Sequence, residues 1–227
     1  MITVNKYFTL TENAPKRHRW AGENKKVMMS VIMISAFLSV CSSFFLEMKQ
    51  LFIVAPMGIV AFFYAYPLFP WKMNLKRIRD IPGIKLFIIA FVFAIITYVL
   101  PIISFVEFTY YTGIGLLARF FFVAAITIPF DVRDINFDDK KIKTIPIVFG
   151  ENKSIYFSLS FLLVSTIFNF FLYSYKILLV NSLMVEIAIL AVAFIAIVFS
   201  RHKSEYYYVI VLEGLMILHP LLVFLFS

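Results

Sequence analysis

The apolar stretch Gly113-Ile-Gly-Leu-Leu-Ala-Arg-Phe-Phe-Phe-Val-Ala-Ala-Ile-Thr-Ile-Pro-Phe130 runs directly into Asp131-Val-Arg-Asp-Ile-Asn-Phe-Asp138, and this junction decides the fold. The apolar part has about the length of a membrane-spanning helix. Aspartates follow at i, i+3 and i+7, so a continuing helix would place three carboxylates within about 60° of one another on one face. Three oxygen ligands suit a hard cation such as Mg²⁺, which takes further oxygens from phosphate. The junction therefore predicts a metal–phosphate site at a membrane boundary.

The composition is that of an integral membrane protein. Of the 227 residues, 62% are hydrophobic and 15% are charged, and the mean hydropathy is +0.92. A soluble domain of this length needs a more polar surface. The apolar runs are continuous and do not alternate with polar residues, which favours helices over a β-barrel. We therefore predict an all-α membrane protein with a single transmembrane helical domain over residues 1–227.

Seven apolar runs are long enough to cross a bilayer, which requires about 20 residues per helix. Pro101 interrupts the third run, and a membrane helix tolerates proline where neighbouring groups satisfy the freed carbonyl. The predicted spans are Val27–Leu46, Leu51–Phe69, Ile84–Phe105, Thr112–Phe130, Ile155–Tyr173, Ile177–Ser200 and Tyr206–Phe226.

The net charge is +8, and the basic residues lie in loops between apolar spans, mostly on one side of the membrane. This distribution argues against a nucleic-acid partner. The connections on one side of the membrane contain only two basic residues, Lys49 and Lys176. By the positive-inside rule the other, basic side is cytoplasmic. We expect a multi-pass protein of a bacterial inner membrane whose two longest loops cap a membrane cavity. The segments assigned to the cytoplasm are the N-terminal segment 1–26, the cap loops 70–85 and 131–153, and the turn 201–205.

The acid stretch continues into Lys143-Thr-Ile-Pro146 and then Gly150. Taken alone, it is also compatible with a solvated cytoplasmic loop. Its spacing and flanking residues, however, resemble the second aspartate-rich motif of the UbiA-type intramembrane prenyltransferases. In that nine-helix family the motif follows the sixth helix and binds Mg²⁺ and the diphosphate of an isoprenyl donor. The resemblance implies that Asp131, Asp134 and Asp138 are the metal ligands and catalytic acids, and that Arg133 and Lys143 contact the substrate.

The loop before the third span carries a second, weaker similarity to the family. It contains Tyr66 at a helix end and the basic pair Lys76-Arg77 before a short turn. The resemblance implies that these three residues bind the diphosphate. They also suit simpler roles, because basic residues anchor topology and tyrosine is common in the interfacial aromatic belt.

The N-terminus departs from the family pattern. The first aspartate-rich motif is aligned with the segment that starts at Asn5, and its three aspartates are replaced by Lys6, Thr9 and Asn13. Asn5 and Lys6 remain candidate substrate-binding residues, with the Lys6 ammonium in place of one metal ion. The sequence starts where the resemblance places two further family helices. We therefore expect either an N-terminally shortened bundle or a true start that lies upstream, and in both cases residues 1–227 resemble the C-terminal seven of nine helices.

Four ionisable residues, Arg119, Glu186, Glu213 and His219, lie well away from the ends of predicted spans, where such residues are by default functional candidates. Glu186 and Glu213 are candidate partners for Arg119 across the bundle. For Glu213 and His219 a structural role in helix packing is the simpler interpretation. Arg119 is a candidate either for holding substrate or for holding one of the metal-binding acids.

These observations favour a Mg²⁺-dependent prenyltransferase, an enzyme that transfers an isoprenyl group from an isoprenyl diphosphate to an aromatic or other lipophilic acceptor. One alternative is an impaired or truncated relative that binds diphosphate without turnover, which the altered N-terminal motif supports. Another is an unrelated polytopic transporter, for which paired interrupted helices in two halves would be typical.

Overall fold

Helices account for the regular structure of the described chain. The structure, a computed structural model, describes residues 20, 23–65, 78–81, 83–135, 143–201 and 203–226. Within these ranges there is no strand, and a short 3₁₀ turn at Ile78–Asp80 precedes the third long helix. The helices are α1 (Lys25–Ser43), α2 (Met48–Ala65), α3 (Ile84–Ile102), α4 (Tyr110–Arg133), α5 (Ile145–Phe149), α6 (Glu151–Ser174), α7 (Val180–Val198) and α8, in which Tyr207–Glu213 continues as Gly214–Phe226.

Six helices, namely α1 to α4, α6 and α7, are long and apolar enough to cross a bilayer. This confirms the predicted all-α, multi-pass membrane architecture. The seventh predicted span corresponds to α8, whose apolar part Tyr207–Val223 is shorter. Its first part, Tyr207–Glu213, is π-helical, and a π-helix is rare and often marks a functional site.

The chain forms two units, Met1–Leu51 and Phe52–Ser227. In the second unit the hydrophobic core centres on α4, where residues 122–126 have no exposed surface. These residues are apolar on every side of the helix, and such a helix is buried by its neighbours. The helix that ends in the acid junction is therefore the central element of this unit.

Small residues bring α4 and α6 close together. Ser158 Oγ of α6 donates to the carbonyl of Ala125 at 2.5 Å, and Ser165 Oγ donates to the carbonyl of Ala118 at 2.8 Å. From the first contact to the second, the position moves seven residues forward along α6 and seven residues backward along α4, as in antiparallel helices. Small side chains at such an interface allow the backbones to approach, which drives helix association in membranes.

A π-helical turn over Ile95–Val99 prepares α3 for the proline that follows it. Pro101 has no N–H, and its ring crowds the carbonyl four residues earlier in a regular helix. The wider turn, in which Leu100 N–H donates to the Ile95 carbonyl, accommodates this crowding. As a result α3 remains one continuous element through Pro101.

A glycine separates the short helix α5 from α6. Gly150 adopts φ 82° and ψ 164°, a conformation that is essentially restricted to glycine. The chain therefore turns sharply between the two helices. This turn brings the segment that follows the acid junction back onto the bundle, where Pro146 is buried.

Candidate functional site

A cavity of about 400 Å³ lies between α3, α4 and α8. Each helix contributes residues three or four positions apart, which lie on one helical face. The wall combines three carboxylates and one ammonium with apolar side chains, so it suits an amphiphilic molecule. The lining residues are Lys85, Ile89 and Phe93 of α3; Thr127, Phe130, Asp131 and Asp134 of α4 and its C-terminal cap; and Glu213, Met216 and Ile217 of α8.

Asp131 is the buried acid of the junction. Its carboxylate Oδ1 lies 2.6 Å from Nζ of Lys85. Lys85 belongs to the first turn of α3, where the positive end of the helix dipole disfavours a cation. The Asp131 carboxylate offsets this cost, and the ammonium in turn compensates for the burial of the carboxylate. The start of α3 and the end of α4 are thereby joined by an ion pair in the cavity wall.

Arg133 holds the second acid, Asp134. Its guanidinium forms two parallel hydrogen bonds to the Asp134 carboxylate, at 2.8 and 3.0 Å, and a third to Glu205 at 3.3 Å. The guanidinium also lies about 5 Å from the ring centroids of Phe130 and Tyr208. Such two-pronged contacts and aromatic stacking restrict the guanidinium to one orientation. Asp134 is therefore held firmly at the cavity.

Helix α4 extends three residues beyond the predicted span end at Phe130 and ends at Arg133, so the continuing helix that would place the three carboxylates on one face does not form beyond this residue. Asp134 caps it with φ −89° and ψ 2°, in keeping with the preference of aspartate for helix ends and turns over helix interiors. Asp131 and Asp134 nevertheless line the same cavity. The structure thus brings together two of the three predicted metal ligands.

A complete metal cluster is not present within the described ranges. No group of three or more His, Cys, Asp or Glu side chains in this part of the chain is placed to hold a metal ion. Asp131 and Asp134 form the described part of the predicted ligand set. Two carboxylates are still sufficient for Mg²⁺ when a substrate supplies phosphate oxygens.

The remaining predicted residues are distributed between an exposed turn and segments that the structure does not describe. Lys143 is exposed and has a left-handed backbone, with φ 48°, which is costly for a residue other than glycine. The adjacent Thr144 is 4% exposed, and its hydroxyl has no hydrogen-bond partner among the described residues. The predicted residues outside the described ranges are Asn5, Lys6, Tyr66, Lys76, Arg77 and Asp138.

A second polar cluster lies deep in the bundle. The Glu186 carboxylate of α7 faces His219 Nε2 of α8 at 2.7 Å and accepts a hydrogen bond from Asn169 Nδ2 of α6 at 3.0 Å. Glu186 and His219 are both less than 10% exposed. This cluster joins three helices, which agrees with the structural role expected for His219. Arg119 was a candidate partner for Glu186. The two charges interact electrostatically, but Glu186 makes its hydrogen bonds to Asn169 and His219.

Arg119 donates a hydrogen bond to the backbone of α8. Its Nη2 donates to the Met216 carbonyl at 3.0 Å, and its Nε donates to Thr97 Oγ1 at 2.9 Å. In a regular helix the Met216 carbonyl would accept from residue 220, which is Pro220 and has no N–H. Arg119 thus satisfies a carbonyl that a proline has freed within the membrane, where water is unavailable.

Sequence reasoning missed the site roles of Lys85, Glu205 and Glu213. Lys85 was assigned only to the basic side of the membrane, and Glu213 only to helix packing. A signal for Lys85 existed, because this lysine follows Pro82-Gly83-Ile84 at the start of an apolar run. No sequence pattern connects Glu205 with Arg133, since the two are 72 residues apart.

These features define the class of the protein: an integral, multi-pass, all-α membrane protein with an acid-containing cavity between three of its helices. Comparisons of the chain with protein-family models, with curated proteins and with solved structures found no match.

Proposed function

We propose that this chain is a membrane prenyltransferase-like protein. It would use Mg²⁺ to transfer an isoprenyl group from an isoprenyl diphosphate to a lipophilic acceptor. The observation that carries the proposal is the position of Asp131 and Asp134, with Lys85, in a cavity whose remaining wall is apolar except for Thr127 and Glu213. The resemblance of residues 131–150 to a diphosphate-binding motif supports the same chemistry.

Mg²⁺ fits the donor set of this cavity. Carboxylate oxygens are its preferred protein ligands, and it usually takes one or two of them together with substrate phosphates. Asp131 and Asp134 are such a pair, and we assign the third ligand to Asp138. When bound, the ion supplies Lewis-acid stabilisation of the charge on the departing diphosphate.

The basic residues at the cavity have two separate tasks in this proposal. Lys85 lines the cavity, so its ammonium neutralises phosphate oxygens that the carboxylates leave uncompensated. Arg133 does not line the cavity but fixes the orientation of Asp134 through two hydrogen bonds. Preorganised charges of this kind lower the energy of the developing diphosphate anion.

The apolar wall receives the isoprenyl chain. Ile89, Phe93, Met216 and Ile217 bury hydrocarbon and keep water from the reacting carbon. Phe93 and Phe130 supply aromatic faces, which attract positive charge. The cavity therefore offers the allylic carbocation an environment in which the acceptor competes favourably with water.

Equilibrium binding of tritiated farnesyl and geranylgeranyl diphosphate to the protein in lipid nanodiscs tests the proposal. We expect Mg²⁺-dependent binding that EDTA abolishes. Asp131→Asn and Asp134→Asn should each weaken it about ten-fold or more, as the loss of a charge-assisted contact does. Glu107→Gln is the matched control, because Glu107 is an exposed acid that precedes α4 at its other end. Equal affinity in wild type and both aspartate variants refutes the proposal.

A turnover measurement separates the enzyme from a binding-only relative. The same nanodiscs are incubated with labelled diphosphate and membrane lipid extract, and prenylated products are separated by chromatography. Product formation that requires Asp131 supports transfer. Mg²⁺-dependent binding without product supports the diphosphate-binding relative, which the replacement of the first motif by Lys6, Thr9 and Asn13 favours.

A further inference from the structure

Two of the three helices that line the cavity are irregular beside its apolar end, which Phe93, Met216 and Ile217 form. One turn beyond Phe93, Thr97 lies in the π-helical turn of α3. One turn beyond Met216, Pro220 lies inside α8 and has no N–H to donate to the Met216 carbonyl. Hydrogen-bonding groups of both helices are therefore free to bond to another element at this level.

Arg119 of α4 bonds to both helices there. Its Nε donates to Thr97 Oγ1 at 2.9 Å, and its Nη2 donates to the Met216 carbonyl at 3.0 Å. Thr97 Oγ1 in turn donates to the Phe93 carbonyl at 2.6 Å. A continuous chain of hydrogen bonds thus connects Phe93 of α3 with Met216 of α8, and both of these residues line the cavity.

The shape of the guanidinium makes this connection rigid. The N–H groups on Nε and Nη2 belong to one planar fork, which usually binds the two oxygens of a single carboxylate. In this protein the two acceptors belong to different helices, so the fork sets their separation. Arg119 is 4% exposed, and its guanidinium carbon lies 5.1 Å from the ring centroid of Phe122. Its surroundings leave the side chain little room to adopt another orientation.

The spacing between α3 and α8 depends on such a bridge. Helix α3 packs mainly along α4, whereas α8 packs mainly against α7. Between them, the apolar end of the cavity is accessible from the side, since Phe93 is 44% exposed and Ile217 is 72% exposed. An apolar group that occupies this end lies between the two helices, and its thickness must match their spacing.

We propose that Arg119 is a specificity-determining residue that fixes the spacing of α3 and α8 and thereby limits the thickness of the apolar group that the cavity accepts. The inference rests on the proposed function, in which this group is the isoprenyl chain. Arg119 does not line the cavity, so it acts as a positioning residue through Thr97 and Met216. A slim acyclic chain leaves both fork bonds intact, whereas a fused-ring body forces the helices apart and breaks them.

The spacing is measured first, without any ligand. Spin labels are attached at Phe91→Cys of α3 and Leu218→Cys of α8, which are 47% and 43% exposed and do not line the cavity. The background is Cys41→Ala, because Cys41 is the only native cysteine. Pulsed electron paramagnetic resonance in lipid nanodiscs then gives the distribution of distances. We expect a narrow distribution in otherwise wild-type protein and a broader one in Arg119→Lys, which keeps the positive charge but loses the fork.

Thr97→Val tests the same bridge from the side of α3 and should also broaden the distribution. Thr166→Val is its matched control. The Thr166 hydroxyl bonds to the carbonyl four residues earlier in its own helix, as that of Thr97 does, but Arg119 donates to Thr97. The control should leave the distribution unchanged.

Ligand selectivity is measured with two diphosphates of different thickness, farnesyl diphosphate and 2-(pyren-1-yl)ethyl diphosphate. We expect wild type to prefer the farnesyl compound. Arg119→Lys should reduce the ratio of the two affinities about three-fold or more, which corresponds to the average interhelical hydrogen bond in a membrane. General destabilisation lowers both affinities together, so a change in their ratio distinguishes positioning from a merely structural role.

The inference is overturned if Arg119→Lys retains the wild-type distance distribution, if it retains the wild-type affinity ratio, or if Thr166→Val broadens the distribution as much as Thr97→Val. Failure of the proposed function gives a different result, because neither diphosphate then binds wild type. In that case farnesol and 2-(pyren-1-yl)ethanol replace the diphosphates, with empty nanodiscs as the correction for partition into lipid. The same change in their ratio supports the role of Arg119, and an unchanged ratio overturns it.

Discussion

The contact between Arg119 and the proline-freed carbonyl of Met216 leads to a quantitative prediction. Arg119→Met removes the hydrogen bonds to Met216 and to Thr97. A hydrogen bond from a charged donor contributes about 1.5–3 kcal/mol in soluble proteins. Single interhelical contacts in membranes average only about 0.6 kcal/mol, with a maximum near 1.7. Two such bonds, one of them to an otherwise unsatisfied carbonyl, lead us to expect a loss of roughly 2–3 kcal/mol.

Pro220→Ala isolates the part of this loss that involves the Met216 carbonyl. The alanine N–H can donate to Met216, so Arg119 is no longer needed there, whereas its bond to Thr97 is the same in both backgrounds. Arg119→Met should therefore cost about 1–1.5 kcal/mol less in the Pro220→Ala background than in wild type. The free energy of unfolding is measured by SDS titration in mixed micelles, with helicity followed by circular dichroism.

Pro56→Ala is the control for this double-mutant cycle. Pro56 also lies inside a helix, α2, but the Arg119 guanidinium donates its hydrogen bonds to Thr97 and Met216 and not to α2. We expect the effects of Arg119→Met and Pro56→Ala to add. Additivity within about 0.3 kcal/mol for Arg119 and Pro220 as well would refute the reasoning, because independent sites behave in that way.

Three further predictions concern packing and charge. A Cβ at Gly115 would overlap the phenol of Tyr98, whereas no atom lies within 4 Å of a Cβ at Gly113. Gly115→Ala should therefore destabilise the protein by about 1–3 kcal/mol in the same unfolding assay, and Gly113→Ala is the control. Equal stability of the two alanine variants would exclude this close approach. Ser165→Ala removes the bond to the Ala118 carbonyl and should cost about 0.6–1.7 kcal/mol, whereas Ser160→Ala, whose hydroxyl bonds within its own helix, should cost less; the opposite order contradicts the α4–α6 interface. Lys85→Met leaves the buried Asp131 carboxylate without this ammonium and should cost up to about 3–5 kcal/mol, most of which the double variant with Asp131→Asn recovers; simple addition of the two losses would show that the ion pair does not couple α3 to α4.

Local features of the fold were predictable from the sequence because they depend on length and hydropathy. An apolar run of about 20 residues becomes a helix in a bilayer, since every backbone group must be satisfied within its own segment. This holds for α1 to α4, α6 and α7. The interruption near Pro101 was also predictable, because proline removes a donor; the π-turn at Ile95–Val99 is its local consequence. Helix ends were less predictable, and α4 ends before the third aspartate.

The candidate site was predictable only in part. Asp131 and Asp134 stood out through their spacing after an apolar run, and both line the cavity. Their partners did not stand out: Lys85 is 46 residues from Asp131, and Glu205 is 72 residues from Arg133. Such pairs are formed by the packing of antiparallel helices, which no local pattern encodes.

The sequence by itself determined that this chain crosses a membrane as helices and that acids and bases meet where the fourth span ends, because hydropathy and charge act along the chain. Only the tertiary structure decided which groups face one another. In the folded protein Asp131 forms an ion pair with Lys85, Arg119 donates a hydrogen bond to the Met216 carbonyl, and Glu213 lines the cavity. The physical reason is that a polar group inside a bundle takes whichever partner the helix packing brings within hydrogen-bond distance, and that packing depends on residues far apart in the chain.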